Sequence, residues 1–366
     1  MNDRSTSIRR VVAPTVTDDD PSLSGADWTA AGVFRVAEGV YRIPLPLPND
    51  GLRAVNVYAV ADERGGDPGW TLVDAGWALE ESRALLDRAM RALGSDLREV
   101  RRFLVTHSHR DHYTQAITIR REFGAEVLIG VGERVNLERV IDPDHAESQN
   151  SVPRLRRAGA PELAAAIERA GRDHVRDMNG WLLPDGYLED RAKVVVGESR
   201  TLEVIETPGH TRGHVVFADE VNDLLFAGDH VLPRITPSIG LEPVPTPSPL
   251  SAFLTSLQLI RERPDAALLP AHGPVGRRVH ERVDELLAHH GARLDASLAA
   301  VREGRHTPHL VAQALPWTRR NHALADLDRW NAMLAILETQ HHLEVLVERG
   351  ALTRTEQEGV LHYALA

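Results

Sequence analysis

Apolar and polar positions alternate over short runs, then switch to helical spacing, and the switch recurs along the chain. Residues 39–44, 54–61 and 70–74 are apolar or alternating runs of strand length bounded by turn-forming residues. Residues 79–93 carry apolar side chains three and four apart, as an amphipathic helix does. Residues 102–106 predict a short buried strand, 113–123 a helix and 126–131 another strand. A meander followed by strand–helix alternation predicts a layered α/β architecture. Residues 132–190 interrupt it: 133–141 and 161–178 are helical by propensity, and 181–186 is a turn-rich apolar link. Strand-like runs then return at 202–205, 224–228 and 267–270.

Past Gly273 the pattern is helical again, over 279–289, 292–303 and 327–349, with Gly350 placed to end the last helix. Its stripe of Trp330, Met333, Leu334 and Leu337 reads as core, and 351–366 as two short strands around Glu356-Gln357-Glu358-Gly359. Residues 1–30, with Asp18-Asp19-Asp20-Pro21 and no apolar periodicity, are expected to be disordered or loosely attached. The organisation expected is therefore 1–30 as a loose segment, 31–290 as the main domain with 132–190 inserted, and 291–366 as an appendage.

Composition narrows the class. With 366 residues and 42% hydrophobic content the chain can bury a large core. It has no cysteine, hence no disulfide framework and no thiol nucleophile. A net charge of −11 argues against nucleic acid as a partner, and the arginines of 154–176 read as a solvated helix face. No apolar run approaches the ~20 residues of a membrane span, and no signal-peptide pattern opens the chain, so a cytoplasmic protein is expected. A homo-oligomer stays open.

The chemistry is concentrated where apolar runs end. His107-Ser108-His109-Arg110-Asp111-His112 places four metal-capable side chains within six residues, directly after a predicted strand. Two-residue spacing points His107 and His109 the same way in extended backbone, and Asp111 and His112 fall where the chain turns into a helix. His210, Asp229 and His272 each follow another strand-like run. Strand-end loops are where functional groups collect, and this N/O donor set suits Zn²⁺. His289-His290 and His341-His342 read as helix-surface or core residues without metal.

These motifs resemble those of metallo-β-lactamase superfamily hydrolases: H-x-H-x-D-H at 107–112, T-P-G-H-T at 207–211, G-D-H at 228–230, A-H-G at 271–273 and an early V-D-A-G turn at 73–76. The resemblance covers about residues 33–290 and points to the glyoxalase-II-like and lactamase-like-protein-2-like branch. It implies an αββα sandwich, a helical lid formed by the insertion, and a small winged-helix-like C-terminal appendage that packs rather than binds DNA. It further implies one metal on His107, His109 and His210, a second on Asp111, His112 and His272, and Asp229 bridging them. Asp74 would orient the ligand loop, and His214 and His230 would stand behind the ligands. Tyr113 and Arg234 are candidate substrate contacts.

The expected cofactor is two Zn²⁺, with iron or manganese as alternatives. The implied reaction is hydrolysis by a hydroxide shared between the metals, with Asp111 and Asp229 as the catalytic carboxylates and a thioester or related small acyl ester as substrate. A metal-dependent ribonuclease or phosphodiesterase, a mono-iron persulfide-dioxygenase-like enzyme and a non-catalytic metal-stabilised binder are the alternatives. Asp111-His112-Tyr113-Thr114-Gln115 lacks the glycines of the D-H-x-G-G continuation usual in glyoxalase II, which points away from glutathione thioesters.

Overall fold

A computed structural model describes residues 16–18, 20–23, 25–48, 51–142, 151–171, 178–318 and 320–366. Strands β1 (Val16–Thr17), β2 (Val33–Ala37), β3 (Val40–Pro46), β4 (Ala54–Ala61), β5 (Trp70–Val73), β6 (Val100–Val105), β7 (Glu126–Gly130) and β8 (Gly186–Leu188) form one sheet in chain order. It is antiparallel from β2 to β5 and parallel from β5 to β8. The second sheet runs β9 (Lys193–Val196), β10 (Arg200–Glu206), β11 (Val215–Asp219), β12 (Leu224–Gly228) and β13 (Ala267–Pro270), antiparallel except for β12 with β13.

Period-two alternation sorts the side chains into layers. On β4, Val55, Val57 and Ala59 join Leu86, Met90 and Ile117 of helices α1 (Glu80–Ala92) and α2 (Arg110–Phe123). Tyr58 and Val60 face the other way, onto Val204, Val215, Phe217 and Phe226 of the second sheet. On β11 and β12, Val216, Ala218, Leu225 and Ala227 pack into a third cluster that holds Phe253, Leu257, Val283 and Leu286. Three cores between four layers make the αββα sandwich that the sequence implies.

The insertion contributes α3 (Arg134–Ile141), α4 (Ser151–Arg157) and α5 (Pro161–Gly171), then returns as β8. The second sheet is covered by α6 (Pro249–Glu262) and α7 (Val279–Arg302), and the chain closes with α8 (Pro308–Ala314), α9 (Arg329–Glu348) and the β14 (Leu352–Gln357)–β15 (Val360–Leu365) hairpin.

Three features bear on the expected organisation. Val152, Leu155, Ala158 and Ala164 of the insertion share a core with Met333, Ile336, Leu352 and Tyr363, so insertion and C-terminal unit pack together. Helix α7 runs unbroken through residue 290, because one interior Gly costs only about 1 kcal/mol relative to Ala and the helix packs Val283, Leu286, Leu294 and Val301 into the core on both sides of it. The described part of the N-terminal segment is anchored: Asp20 and Arg42 form a fully buried ion pair at 2.6 Å. Arg42 also donates to the Trp28 carbonyl oxygen at 2.9 Å. A buried guanidinium needs such acceptors, and the segment supplies them. Residues 1–15, 19 and 24 of that expected loose segment, and 172–177 of the expected 161–178 helix, lie outside the described residues.

Candidate metal centre

Backbone geometry carries each candidate side chain off a strand end. β6 runs through Val105 into His107, Ser108 and His109, and α2 starts with His109 as its N-cap and Asp111 and His112 in its first turn. His210 sits between β10 and β11, Asp229 follows β12, and His272 follows β13. The sandwich brings all seven together. His210 Nε2 stands 3.2 Å from His107 Nε2 and 3.0 Å from His109 Nδ1. Opposite them, Asp111 Oδ2 lies 3.4 Å from His272 Nε2 and 3.6 Å from His112 Nε2. Asp229 faces both groups: Oδ1 is 3.3 Å from His272 Nε2 and 3.6 Å from His112 Nε2, and Oδ2 is 3.5 Å from His210 Nε2.

The far nitrogen of every imidazole is committed elsewhere, which fixes its tautomer. His210 Nδ1 donates to the Ser238 carbonyl at 2.6 Å, His272 Nδ1 to that of Ala54 at 2.7 Å and His109 Nε2 to that of Leu241 at 2.8 Å. His112 Nδ1 donates to Asp74 Oδ2 at 2.9 Å. His107 Nδ1 meets Thr106 Oγ1 at 3.0 Å, and that hydroxyl in turn donates to Asp74. Five nitrogen lone pairs therefore point into the cluster. His112 Nε2, His272 Nε2 and Asp229 Oδ1 are buried with no hydrogen-bond partner. An orphaned buried polar atom costs about 1–3 kcal/mol, so this donor set fits cations. His107/His109/His210, His107/His112/Asp229 and Asp111/His112/His272 each gather their ligand atoms within 4.8 Å.

The same crowding sets the charges. Burial, the largest influence on His112, opposes protonation, but Asp74, Asp111 and Asp229 outweigh it and lift the group to about 10, so without a metal Nε2 holds a second proton that a bound cation would replace. Burial and then the neighbouring histidines hold His107 well below its ordinary value. Burial and then His109 bring His210 down to about 4. Burial works against ionisation of Asp229 and Asp111, yet His272 and His112 overcome it and keep both carboxyls below the usual range.

The remaining candidates separate. Asp74, at φ 59°, accepts from Thr106 N at 2.9 Å as well as from His112, and so supports the ligand loop. His214 accepts from the Asp229 backbone N–H at 3.1 Å and contacts Thr207 Oγ1 at 2.9 Å, which places it behind Asp229. His230 is buried edge-on against Phe253 and does not join the cluster. Tyr113 is fully buried in the first sheet's helix core, and its hydroxyl donates to the Leu182 carbonyl at 2.6 Å. Helical rotation turns its side chain away from the centre although it follows His112. Arg234 is exposed.

Sequence reasoning missed two supports. Glu133, fully buried, accepts from the Ser108 and Thr211 hydroxyls, which flank the histidines of both loops, and from Asn136 Nδ2 at 3.1 Å. Gly213 makes room for it: a Cβ there would lie 2.0 Å from Glu133 N. Asn56 Nδ2 donates to the Pro270 and Gly273 carbonyls at 2.9 and 3.0 Å, and Asn56 Oδ1 accepts from Arg42, so the Asp20–Arg42 pair backs the His272 loop. Nothing local marks Glu133, a single acidic residue at a helix start.

The family model described as "Metallo-beta-lactamase superfamily" matches residues 50–272. The chain is 35% identical over 103 residues to a beta-lactamase-like protein 2 homolog of Caenorhabditis elegans, covering 28% of this chain and 32% of that protein. It is 28% identical over 157 residues to the atrochrysone carboxyl ACP thioesterase AgnL7 of Paecilomyces divaricatus, covering 43% and 44%. To the hydroxyacylglutathione hydrolase GloC of Haemophilus influenzae it is 25% identical over 126 residues, covering 34% and 47%. The matched stretches thus span about a third to a half of these relatives. Among solved structures it is similar to the metallo-beta-lactamase family protein TTHA1429 of Thermus thermophilus, with TM-score 0.72, 28% identity, and 91% and 100% coverage. A beta-lactamase domain protein from Burkholderia ambifaria gives TM-score 0.71, 29% identity, and 92% and 94% coverage.

Proposed function

The chain belongs to the metallo-beta-lactamase superfamily, and from that premise we propose that it is a binuclear metal-dependent hydrolase of a thioester or related small acyl ester. One observation carries the reading: Asp229 turns one carboxylate oxygen toward each of two groups of ligand atoms. His107, His109 and His210 would hold one ion, Asp111, His112 and His272 the other, and Asp229 both. When bound, zinc-class ions would polarise a substrate carbonyl and lower the pKa of water. The chain's own contribution is preorganisation. Asp111, with its side chain 16% exposed, is open enough to accept a hydrogen bond from an attacking water. Asp74 and Glu133 keep the ligand loops in register, so the donors need no rearrangement during reaction.

The thioester preference draws on the names of two relatives, a thioesterase and a hydroxyacylglutathione hydrolase. The insertion suits a substrate wall: Arg154 of α4 donates to the Gly240 carbonyl at 3.1 Å, in the loop whose Ser238 and Leu241 carbonyls hold His210 and His109. A cytoplasmic setting belongs to this reading; among the described residues no helix is long and apolar enough to cross a membrane. The test is elemental analysis of protein purified without added metal, together with a thioester, ester, lactone and RNA hydrolysis panel. The expected result is about two zinc ions per chain with thioester turnover that Asp111→Ala abolishes. One iron with oxygen consumption, or zinc-loaded protein inert toward every thioester and ester, overturns it.

A further inference from the structure

Away from the centre, α7 and α9 bring together a second donor group. His289 and His290 of α7 and Glu338 of α9 place one ligand atom each within 4.8 Å of one another. Their tautomers can be traced from the backbone outward. His342 Nδ1 donates to the Glu338 carbonyl oxygen at 2.8 Å, so its Nε2 carries a lone pair. That Nε2 lies 3.1 Å from His290 Nδ1, which therefore donates to it. The lone pair of His290 Nε2 is then left over, on a fully buried ring and without a hydrogen-bond partner.

A ring kept only for packing, edge-on to Phe253 at 5.6 Å and stacked on His342 at 5.3 Å, gains nothing from this arrangement. A buried lone pair without a partner, on a ring that belongs to a His/His/Glu group, instead favours a cation. The guanidinium of Arg293 packs over the Trp317 ring at 4.1 Å and donates to the Pro316 carbonyl at 3.0 Å; its other terminal nitrogen is buried without a hydrogen-bond partner, and its charge also acts on Glu338, so a divalent ion would share that carboxylate's charge with it. Access exists on both sides: His289 is exposed, and Glu338 lines a cavity of about 180 Å³ with Arg154, Asn331 and Trp317.

We propose that His289, His290 and Glu338 form a further divalent-cation site of zinc type that clamps α7 to α9, with His342 fixing the His290 tautomer. Two imidazoles and one carboxylate, with a position left for water, are the ligands zinc accepts. The site is independent of the hydrolase reading. To test it, the full chain is loaded with Zn²⁺, dialysed against a zinc-buffered chelator, and its zinc content measured. His289→Ala and Glu338→Gln are each expected to hold one equivalent fewer than the unaltered chain. His107→Ala is expected to keep that equivalent whatever happens at the other centre. In chelator competition, zinc affinity at the site falls at least about tenfold in Glu338→Gln. Unchanged zinc content in both variants overturns the proposal. Should circular dichroism show Glu338→Gln to be misfolded, the exposed His289→Ala decides alone.

Discussion

Replacing Asp74 by asparagine removes one charge and keeps the shape, and its effect follows from three hydrogen bonds. Asp74 accepts from Thr106 N at 2.9 Å, from Thr106 Oγ1 at 3.0 and 3.1 Å, and from His112 Nδ1 at 2.9 Å. Asparagine offers one acceptor oxygen. If it keeps Thr106, its amide N–H₂ meets the His112 N–H at hydrogen-bond distance, donor against donor. His112 must then move its proton to Nε2, where the ligand lone pair was needed. A hydrogen bond to a charged group is worth about 1.5–3 kcal/mol. Groups that orient metal ligands commonly carry about 10–100-fold in metal affinity, or about 1.4–2.8 kcal/mol. The two routes agree. Backbone strain does not confuse the result, because asparagine tolerates the left-handed φ of 59° as well as aspartate does. Chelator competition on the purified variant should show zinc affinity down about 10–100-fold, with the apo melting temperature lowered as well. Affinity within twofold of the unaltered protein would refute the argument and reduce Asp74 to a turn residue.

Glu133→Gln leaves one of the Ser108 and Thr211 hydroxyls facing an amide donor; turnover should fall about tenfold with zinc retained, and unchanged kcat would show the clamp to be dispensable. Gly213→Ala drives a methyl to 2.0 Å from Glu133 N and 2.3 Å from Gly132 C, both backbone atoms. It should cost about 3 kcal/mol or more in denaturant unfolding, and a loss under 1 kcal/mol would contradict the packing. Burial is the main cause holding His230, His341 and His342 down at about 3. The unfolded chain takes up their protons below about pH 6.5, so their stabilising effect is complete above that pH and is lost as pH falls toward 3. Chemical denaturation of apo protein between pH 7 and 4.5 should show stability declining by up to about 1.4 kcal/mol per pH unit for each histidine. A flat profile would refute it.

The candidate donors were legible because the loops that carry them each follow an apolar run, and a strand end fixes where the next residues go. His107 and His109 could be placed together from two-residue spacing alone; that His210, Asp229 and His272 join them needs the sandwich, which the motif resemblance supplied. What stayed hidden depends on long-range partners. Asp20 looks like part of an acidic loop until Arg42 closes on it. Gly291 looks like a helix break although nothing around it forces one. Tyr113 looks available because it adjoins a ligand in sequence, while the helix turns it into the core.

The donors are split between two sheets that lie far apart along the chain. His107 to His112 leave the first sheet, whereas His210, Asp229 and His272 leave the second. Neither sheet alone assembles a complete set of ligands. A bound ion would therefore act as a rivet completed only once the two halves have met. Interactions absent from the folding transition state slow unfolding and leave folding rates almost untouched. For this chain, metal would govern how long the native state lasts and have little say in how quickly it is reached.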